Sequence, residues 1–350
     1  MTRSVKIGNI TIGGGNRIAI QSMTNTDTAD RESTLSQLKR LQDAGCDIAR
    51  LAVRDAEDVS ACRYYIDNVS MPLVADIQFD YRLAVACAEA GMAKIRFNPG
   101  NIGGKDKVRI VTDACKRNGV PIRIGVNSGS LGKKLLDEKG NCGEALVESA
   151  LQNVRILEEC GFYDIVVSVK SSDIKTCVAS YRMLSEIIDY PLHVGVTESG
   201  GGEAALIKSA IGIGSLLLDN IGDTIRVSLS EDPVNEVYAA QKILRAAGID
   251  RNYCEIISCP TCSRCSYDLI GAVKAIQEYV KDIKIPLKIA IMGCVVNGPG
   301  EAADCDFGVA GGKDKAVIFI KGKVTKTISA DSVVEQLKRM IDEYLRIHEK

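Results

Sequence analysis

The chain has 350 residues, of which 46% are hydrophobic and 25% charged, and its 44 basic and 45 acidic side chains give a formal net charge of −1. That length accommodates one large domain and a smaller one. The charge balance argues against partners gripped by bulk electrostatics, nucleic acid or an anionic membrane. No apolar run reaches the roughly 18 residues a spanning helix needs, and the opening MTRSVKIGNITIGGGNR has no apolar signal-peptide core. A cytoplasmic location is therefore expected, with no nucleic-acid or membrane partner.

Apolar, β-branched runs recur along the first 230 residues. They are RIAIQSM (17–23), DIARLAV (47–53), PLVADI (72–77), KIRFNPG (94–100), PIRIGVN (121–127), DIVVSVK (164–170), PLHVGVTES (191–199) and TIRVSLS (224–230). Helix-patterned stretches such as ESTLSQLKRLQDAG and YRLAVACAEAG separate them, and Gly45, Gly91 and Gly161 mark returns to the next strand. Eight strands alternating with helices predict parallel βαβ units closed into a TIM-type (β/α)8 barrel over residues 1–245. Gly212 and Gly214 do not form a dinucleotide-binding fingerprint opening the first helix.

A barrel of this type carries its active site on the rim formed by the C-terminal strand ends. Here those ends are polar: Arg50, Asp76, Arg96 with Asn98, Arg123 with Asn127, Lys170, Thr197 with Glu198, and Arg226 with Ser228. Residues two or four apart in a strand share a face. Charges inside apolar strands are costly unless paired, so each arginine has an ion-pair reading with Asp76, Glu198 or a neighbouring helix. Four arginines and a lysine converging on one rim favour an anionic ligand, because guanidinium groups match phosphate oxygens bidentately. A phosphate or diphosphate is the simplest such ligand. The chain has only two histidines, and His193 falls mid-strand, where a buried structural role is expected. Glu198 is the better candidate proton donor, since a carboxyl in a closed site can have a raised pKa.

After the helix VNEVYAAQKILRAAG the rhythm changes, and residues 246–350 read as a small α+β domain. CEIIS and PLKIAIMG are strands and YDLIGAVKAIQEYVKDI is an amphipathic helix. KAVIFIKGKVTKTI is a hairpin turning at Lys321–Gly322–Lys323, and DSVVEQLKRMIDEYLRIHEK is a closing helix with Asp331 as its expected N-cap. Each of the two strands runs into a cysteine loop, SCPTCSRC (258–265) and MGCVVNGPGEAADCDFG (292–308). If the strands are neighbours, Cys259, Cys262 and Cys294 can share a metal with one further ligand from Cys265, Cys305, Glu301 or Asp306. Spacing alone does not choose that fourth ligand. C-x-x-C with a distant cysteine fits structural zinc or an iron–sulfur cluster, and the Gly/Pro-rich surroundings lean toward [4Fe-4S]. The remaining cysteines of the 13, such as Cys46, Cys62, Cys87, Cys115, Cys142, Cys160 and Cys177, are spread about one per helical segment, as small buried thiols are.

SCPTC, MGCVVNGPGEA, QSMTNTDT, RFNPGNIG, RIGVNSGSL and GVTESG together resemble the 4-hydroxy-3-methylbut-2-enyl diphosphate synthases, iron–sulfur enzymes of the methylerythritol phosphate route to isoprenoids. The resemblance covers essentially the whole chain and corresponds to the compact bacterial form without an extra middle domain. It implies a [4Fe-4S] cluster held by Cys259, Cys262, Cys294 and the carboxylate of Glu301. It implies a diphosphate pocket of Arg50, Arg96, Asn98, Arg123, Asn127, Lys170 and Arg226 with Ser228 nearby, and a reacting end lined by Asp76, Thr197 and Glu198. The implied reaction is reductive ring opening and dehydroxylation of 2-C-methyl-D-erythritol 2,4-cyclodiphosphate, with electrons from flavodoxin or ferredoxin. The implied assembly is a homodimer in which one subunit's cluster caps the other's barrel. A carboxylate is a harder and more labile ligand than a thiolate, so Glu301, beside Glu198, would take a catalytic part. Three positions depart from the pattern: the additional Cys265, Gln78 where histidine is expected, and Ser171 where alanine is usual.

Two rival readings lead elsewhere. A phosphometabolite barrel enzyme with a structural zinc domain would be colourless. A cluster-based iron or oxygen sensor would have no need of converging rim arginines.

Overall fold

The computed structural model describes residues 1–131, 140, 142–296, 300 and 302–348. It opens with an antiparallel hairpin of β1 (Val5–Ile7) and β2 (Ile10–Ile12). Gly8, at φ +58, takes the left-handed backbone that the first position of this two-residue turn requires. The strand count from periodicity passes over this hairpin, although Gly-Asn between two β-branched triplets is its local signal.

The eight expected strands follow: β3 (Ala19–Met23), β4 (Ile48–Val53), β5 (Leu73–Ile77), β6 (Lys94–Arg96), β7 (Ile122–Asn127), β8 (Ile165–Lys170), β9 (His193–Val194) and β10 (Thr224–Ile225). Each pairs in parallel with the next from β3 to β8, β9 pairs with β10, and β10 returns to β3. A parallel bridge between Val167 and Leu192 joins β8 to the β9 segment and closes the ring. The (β/α)8 barrel is therefore present.

Helices α1 (Arg31–Asp43), α2 (Ala56–Ile66), α3 (Tyr81–Ala90), α4 (Lys105–Asn118), α5 (Gly143–Glu159), α6 (Ile174–Ile187), α7 (Gly202–Leu218) and α8 (Pro233–Ala246) alternate with these strands. Asp30, Asp55, Asp80, Asp173 and Asp232 cap α1, α2, α3, α6 and α8 by accepting N–H groups of the first turn. Alternate strand residues, among them Leu51, Ile95, Ile124, Val167, Val194 and Ile225, pack outward against the helices as one core. At the strands' N-terminal ends the inward positions Ala19, Ile48, Val74 and Val166 instead meet Val5, Ile7 and Ile12 of the hairpin, which plugs that end with apolar side chains.

The chain divides into two compact units, Met1–Ala247 and Gly248–Lys350. The second is a five-stranded sheet in the order β11 (Cys254–Ser258), β12 (Leu287–Met292), β13 (Phe307–Gly311), β14 (Lys315–Ile320), β15 (Lys323–Ser329), with α9 (Leu269–Val280) and α10 (Val333–His348). β11, β12 and β13 are parallel, whereas β13–β14 and β14–β15 are antiparallel. Ile289, Ile291, Val309 and Ile318 pack with Ile276 of α9 and Leu337 and Ile341 of α10. The expected hairpin turns at Lys321 (φ +47) and Gly322 (φ +73), the two positive values of a type I′ turn despite the lysine. β13 is the unexpected strand, built from the FGVAG that follows the second cysteine loop. Asp331 lies in a 3₁₀ turn, Ala330–Ser332, that leads into α10, and so is not that helix's cap.

Candidate active site

Above the apolar plug, the inward side chains change character. Gln21, Arg50, Asp76, Lys94, Arg96, Arg123, Lys170, His193 and Thr224 come from alternate positions of the eight barrel strands, and Arg226 follows β10. Arg123 and Lys94 are among the largest fully buried side chains of the molecule.

The cations divide by partner. Asp76 takes Arg96 Nη1 at 2.8 Å and Arg50 Nε at 3.7 Å. Arg226 meets Glu236 of α8 through Nε and Nη2, both at 3.2 Å. Glu236 also accepts from Ser22 Oγ at 2.8 Å and from the Leu229 N–H at 3.2 Å, so a helix carboxylate supports the rim from outside the barrel. Arg50 additionally donates to Met23 Sδ at 2.8 Å. Buried Nε–H groups of Arg96 and Arg123, and Nε2 of Gln21, have no partner among the described residues. Donors left over in a closed polar layer call for an acceptor-rich ligand or ordered water.

The electrostatics agree. Burial pushes the Asp76 carboxyl up, but Arg50, Arg96 and Arg123 outweigh it and hold the group below the ordinary aspartate range. Burial, reinforced by Arg50 and Arg96, drives Arg123 well below its usual value. Burial with the neighbouring guanidinium groups does the same to Lys94 and Lys170. An anion entering this cup would favour the charged forms of Arg123, Lys94 and Lys170 and offset their mutual repulsion.

Small residues make the room. A Cβ on the inward-facing Gly125 would stand 2.9 Å from Arg96 Nε, and one on Gly195 would stand 2.7 Å from Lys170 Nζ. Asn98 uses Oδ1 to accept the Gly125 N–H at 3.0 Å, which ties it to the same strand that Arg96 crosses. Asn127 ends β7 in register with Lys170. Thr197 and Ser228 are half-buried at the rim. Glu198, expected in a closed site, is exposed in the barrel unit and sits at φ +54, a left-handed conformation uncommon for glutamate. His193 is buried as expected, but on the interior face beside Lys170 rather than in the outer core.

Sequence reasoning missed Glu236, Lys94, Gln21 and Met23. Lys94 had a legible signal, since it lies two residues before Arg96 and so shares its face. Glu236 had none, because helix periodicity does not say which barrel residue it will reach.

In the second unit, β11 and β12 are parallel neighbours with Ser258 opposite Ile291, so the two cysteine loops leave adjacent strand ends on the same side. The Gly293 N–H donates to Cys259 Sγ at 3.2 Å. A Cβ on Gly293 would lie 3.0 Å from Cys265 Sγ and 3.4 Å from Cys259 Sγ, so the glycine lets both sulfurs close on the second loop. Cys262 is exposed and Cys294 half-buried. Of the four fourth-ligand candidates, Cys305 is buried in a small apolar cluster with Ala302 and Phe319. Asp306 is held by the Lys288 N–H at 2.9 Å. Cys265 Sγ donates to the Tyr267 carbonyl at 3.4 Å. Glu301 lies outside the described residues. Among the described residues no three metal-ligating side chains stand within reach of one ion. The donor set, thiols brought to one side of two adjacent strands, fits an iron–sulfur group in chemistry and neighbourhood.

A family model described as the GcpE TIM-barrel domain matches residues 2–241, and a second, the GcpE protein C-terminal domain, matches 255–343. The chain belongs to the GcpE family. Two GcpE relatives carry the name 4-hydroxy-3-methylbut-2-en-1-yl diphosphate synthase (flavodoxin). The one from Clostridium perfringens is 53% identical over 342 residues, covering 97% of this chain and 98% of its own. The one from Caldanaerobacter subterraneus is 51% identical over 347 residues, covering 99% and 98%. Among solved structures, 3-dehydroquinate dehydratase from Geobacillus kaustophilus superposes with a TM-score of 0.52 at 13% identity, over 70% of this chain and 99% of that one. That likeness concerns the barrel fold alone. Among the described residues no helix of this GcpE chain is long and apolar enough to cross a membrane.

Proposed function

We propose that this chain performs the reaction its relatives are named for. It converts 2-C-methyl-D-erythritol 2,4-cyclodiphosphate to (E)-4-hydroxy-3-methylbut-2-enyl diphosphate in isoprenoid biosynthesis. Ring opening frees the diphosphate end and a hydroxyl departs as water, so two electrons and two protons balance the step. The observation that carries the reading is the cup itself, in which, among the described residues, arginines and lysines outnumber the carboxylates Asp76 and Glu236 and buried Nε–H groups of Arg96 and Arg123 have no partner.

Arg50, Arg96, Arg123, Lys170 and Arg226 bind the diphosphate and stabilise the charge it gains on leaving carbon. Asn98, Asn127 and Ser228 orient it. Asp76 holds Arg50 and Arg96 apart and aimed, and Thr197 lines the reacting end. Glu198 supplies a proton to the departing oxygen. Cys259, Cys262, Cys294 and Glu301 would hold a [4Fe-4S] cluster, which requires exposed Cys262 to turn toward its neighbours. Bound there, the cluster supplies single electrons received from flavodoxin. Cytoplasmic residence suits that donor. A homodimer, with one subunit's cluster unit closing its partner's barrel, is supported by the apolar outer face of α7, where Ile207, Ile211 and Leu218 are 52%, 55% and 72% exposed.

An anaerobic assay of the brown, iron-loaded protein with the cyclic diphosphate and a chemical reductant tests the reading. Formation of the open-chain diphosphate is expected; binding without turnover in iron-replete protein would refute it. Cys294→Ser should remove the visible absorption, and Glu301→Ala should keep a less stable chromophore with slowed turnover. Mixing a barrel-dead variant with a cluster-dead one should restore activity if the site closes across subunits.

A further inference from the structure

Lys170 differs from the arginines around it in having no carboxylate partner among the described residues. Its Nζ lies 3.3 Å from His193 Nε2, and His193 Nδ1 lies 2.8 Å from Thr224 Oγ1. Tyr181, reaching in from α6, donates to the His193 carbonyl at 2.6 Å and fixes that part of β9. All four residues are buried. The groups facing Lys170 are Arg123 from β7, Arg226 after β10, Arg50 from β4 and the Cys177 thiol from α6. His193 faces Lys170, Arg123, Lys94 and Arg50. A doubly protonated ring would aim Nε2–H at the lysine inside a ring of positive charge. The neutral tautomer with Nδ1–H toward Thr224 leaves the Nε2 lone pair to accept from Lys170. Burial and the surrounding cations hold both groups well below their ordinary values.

We propose that His193 is a positioning residue of the cup, holding Lys170 through Nε2, and that entry of the diphosphate charges Lys170 by taking up one proton from solvent. The inference rests on the anion-binding reading of the cup and extends it. A lysine can wait uncharged in a cationic cavity, whereas a guanidinium cannot. Lys170 thus relieves repulsion in the empty cup and restores full charge when the ligand arrives. The neutral imidazole keeps the amine aimed in both states.

Calorimetric titration of the full chain with the cyclic diphosphate, anaerobically and without reductant, tests this. The two phosphodiester-like groups of that ligand do not titrate near neutral pH, so the slope of binding heat against buffer ionisation enthalpy counts protons taken up by the protein. A slope close to one proton is expected for the wild type and for His193→Gln, which keeps an acceptor. Lys170→Arg should bind with a flat slope. His193→Phe, which removes the acceptor, should weaken binding at least about tenfold. A flat slope in the wild type, or His193→Phe binding as the wild type does, overturns the inference; the wild-type slope decides if His193→Phe does not fold by circular dichroism. Absence of any binding by the wild type would instead overturn the reading of the cup.

Discussion

The two ends of the barrel are made by the same strands with opposite chemistry. At the N-terminal ends, Ala19, Ile48, Val74 and Val166 meet an apolar hairpin. Two residues further along, the inward positions are Gln21, Arg50, Asp76 and Ser168, and a further step on β8 brings Lys170. A two-residue step advances roughly 6–7 Å along a strand, so the interior passes from dry to charged within one or two side-chain layers. The outward face shows no such change and, apart from Ser22 where it meets Glu236, stays apolar along its length. The contrast teaches that the plug and outer shell supply stability while the upper interior is free to hold mutually repelling cations.

The largest expected effect comes from Asp76→Asn, which strips Arg50 and Arg96 of their shared carboxylate. Leaving buried charge uncompensated should cost about 3–5 kcal/mol by urea denaturation. A near-neutral result would mean that the upper interior tolerates its cations without help. The same carboxyl sets a pH dependence. Because its folded pKa is held low, its contribution is complete above about pH 4, where the unfolded aspartate is ionised, and is lost as pH falls through the folded value. The wild type should therefore lose stability steeply below about pH 4, and Asp76→Asn less steeply. Ile48→Ala, in the apolar layer, should cost about 3 kcal/mol while leaving affinity for the cyclic diphosphate unchanged; a matching loss of affinity would show that the two layers are not separable. Gly125→Ala should do the reverse, displacing Arg96 and weakening binding about tenfold in calorimetry with little change in Tm. Asp173→Ala removes an N-cap outside both layers and should cost only about 1 kcal/mol, with binding unaffected.

Much of this arrangement was legible in the chain. The eight apolar runs from RIAIQSM to TIRVSLS all became barrel strands, because a fully buried parallel strand must be aliphatic on both faces and any charge within it stands out. Arg96, Arg123 and Arg226 stood out for that reason. The hairpin at Gly8 and the strand Phe307–Gly311 were missed: the first is too short for a period to register, and the second is masked by the glycines and cysteine that precede it. Glu198 was expected in an enclosed site and is exposed in the barrel unit, since enclosure depends on what else approaches the rim.

By itself the sequence determined the alternation of strand and helix, which of the rim cations share a strand face and the two cysteine loops, since each follows from local period and residue type. Only the tertiary structure decided the partners: Glu236 reaching Arg226 from α8, Lys170 falling to His193 rather than to a carboxylate, and Gly125 and Gly195 clearing space for the cations. Glu236 and Arg226 belong to one βα unit and meet through the fold of the loop between them, whereas the other pairings join residues from separate units, so that closure of the ring, with its particular register, sets which side chains meet.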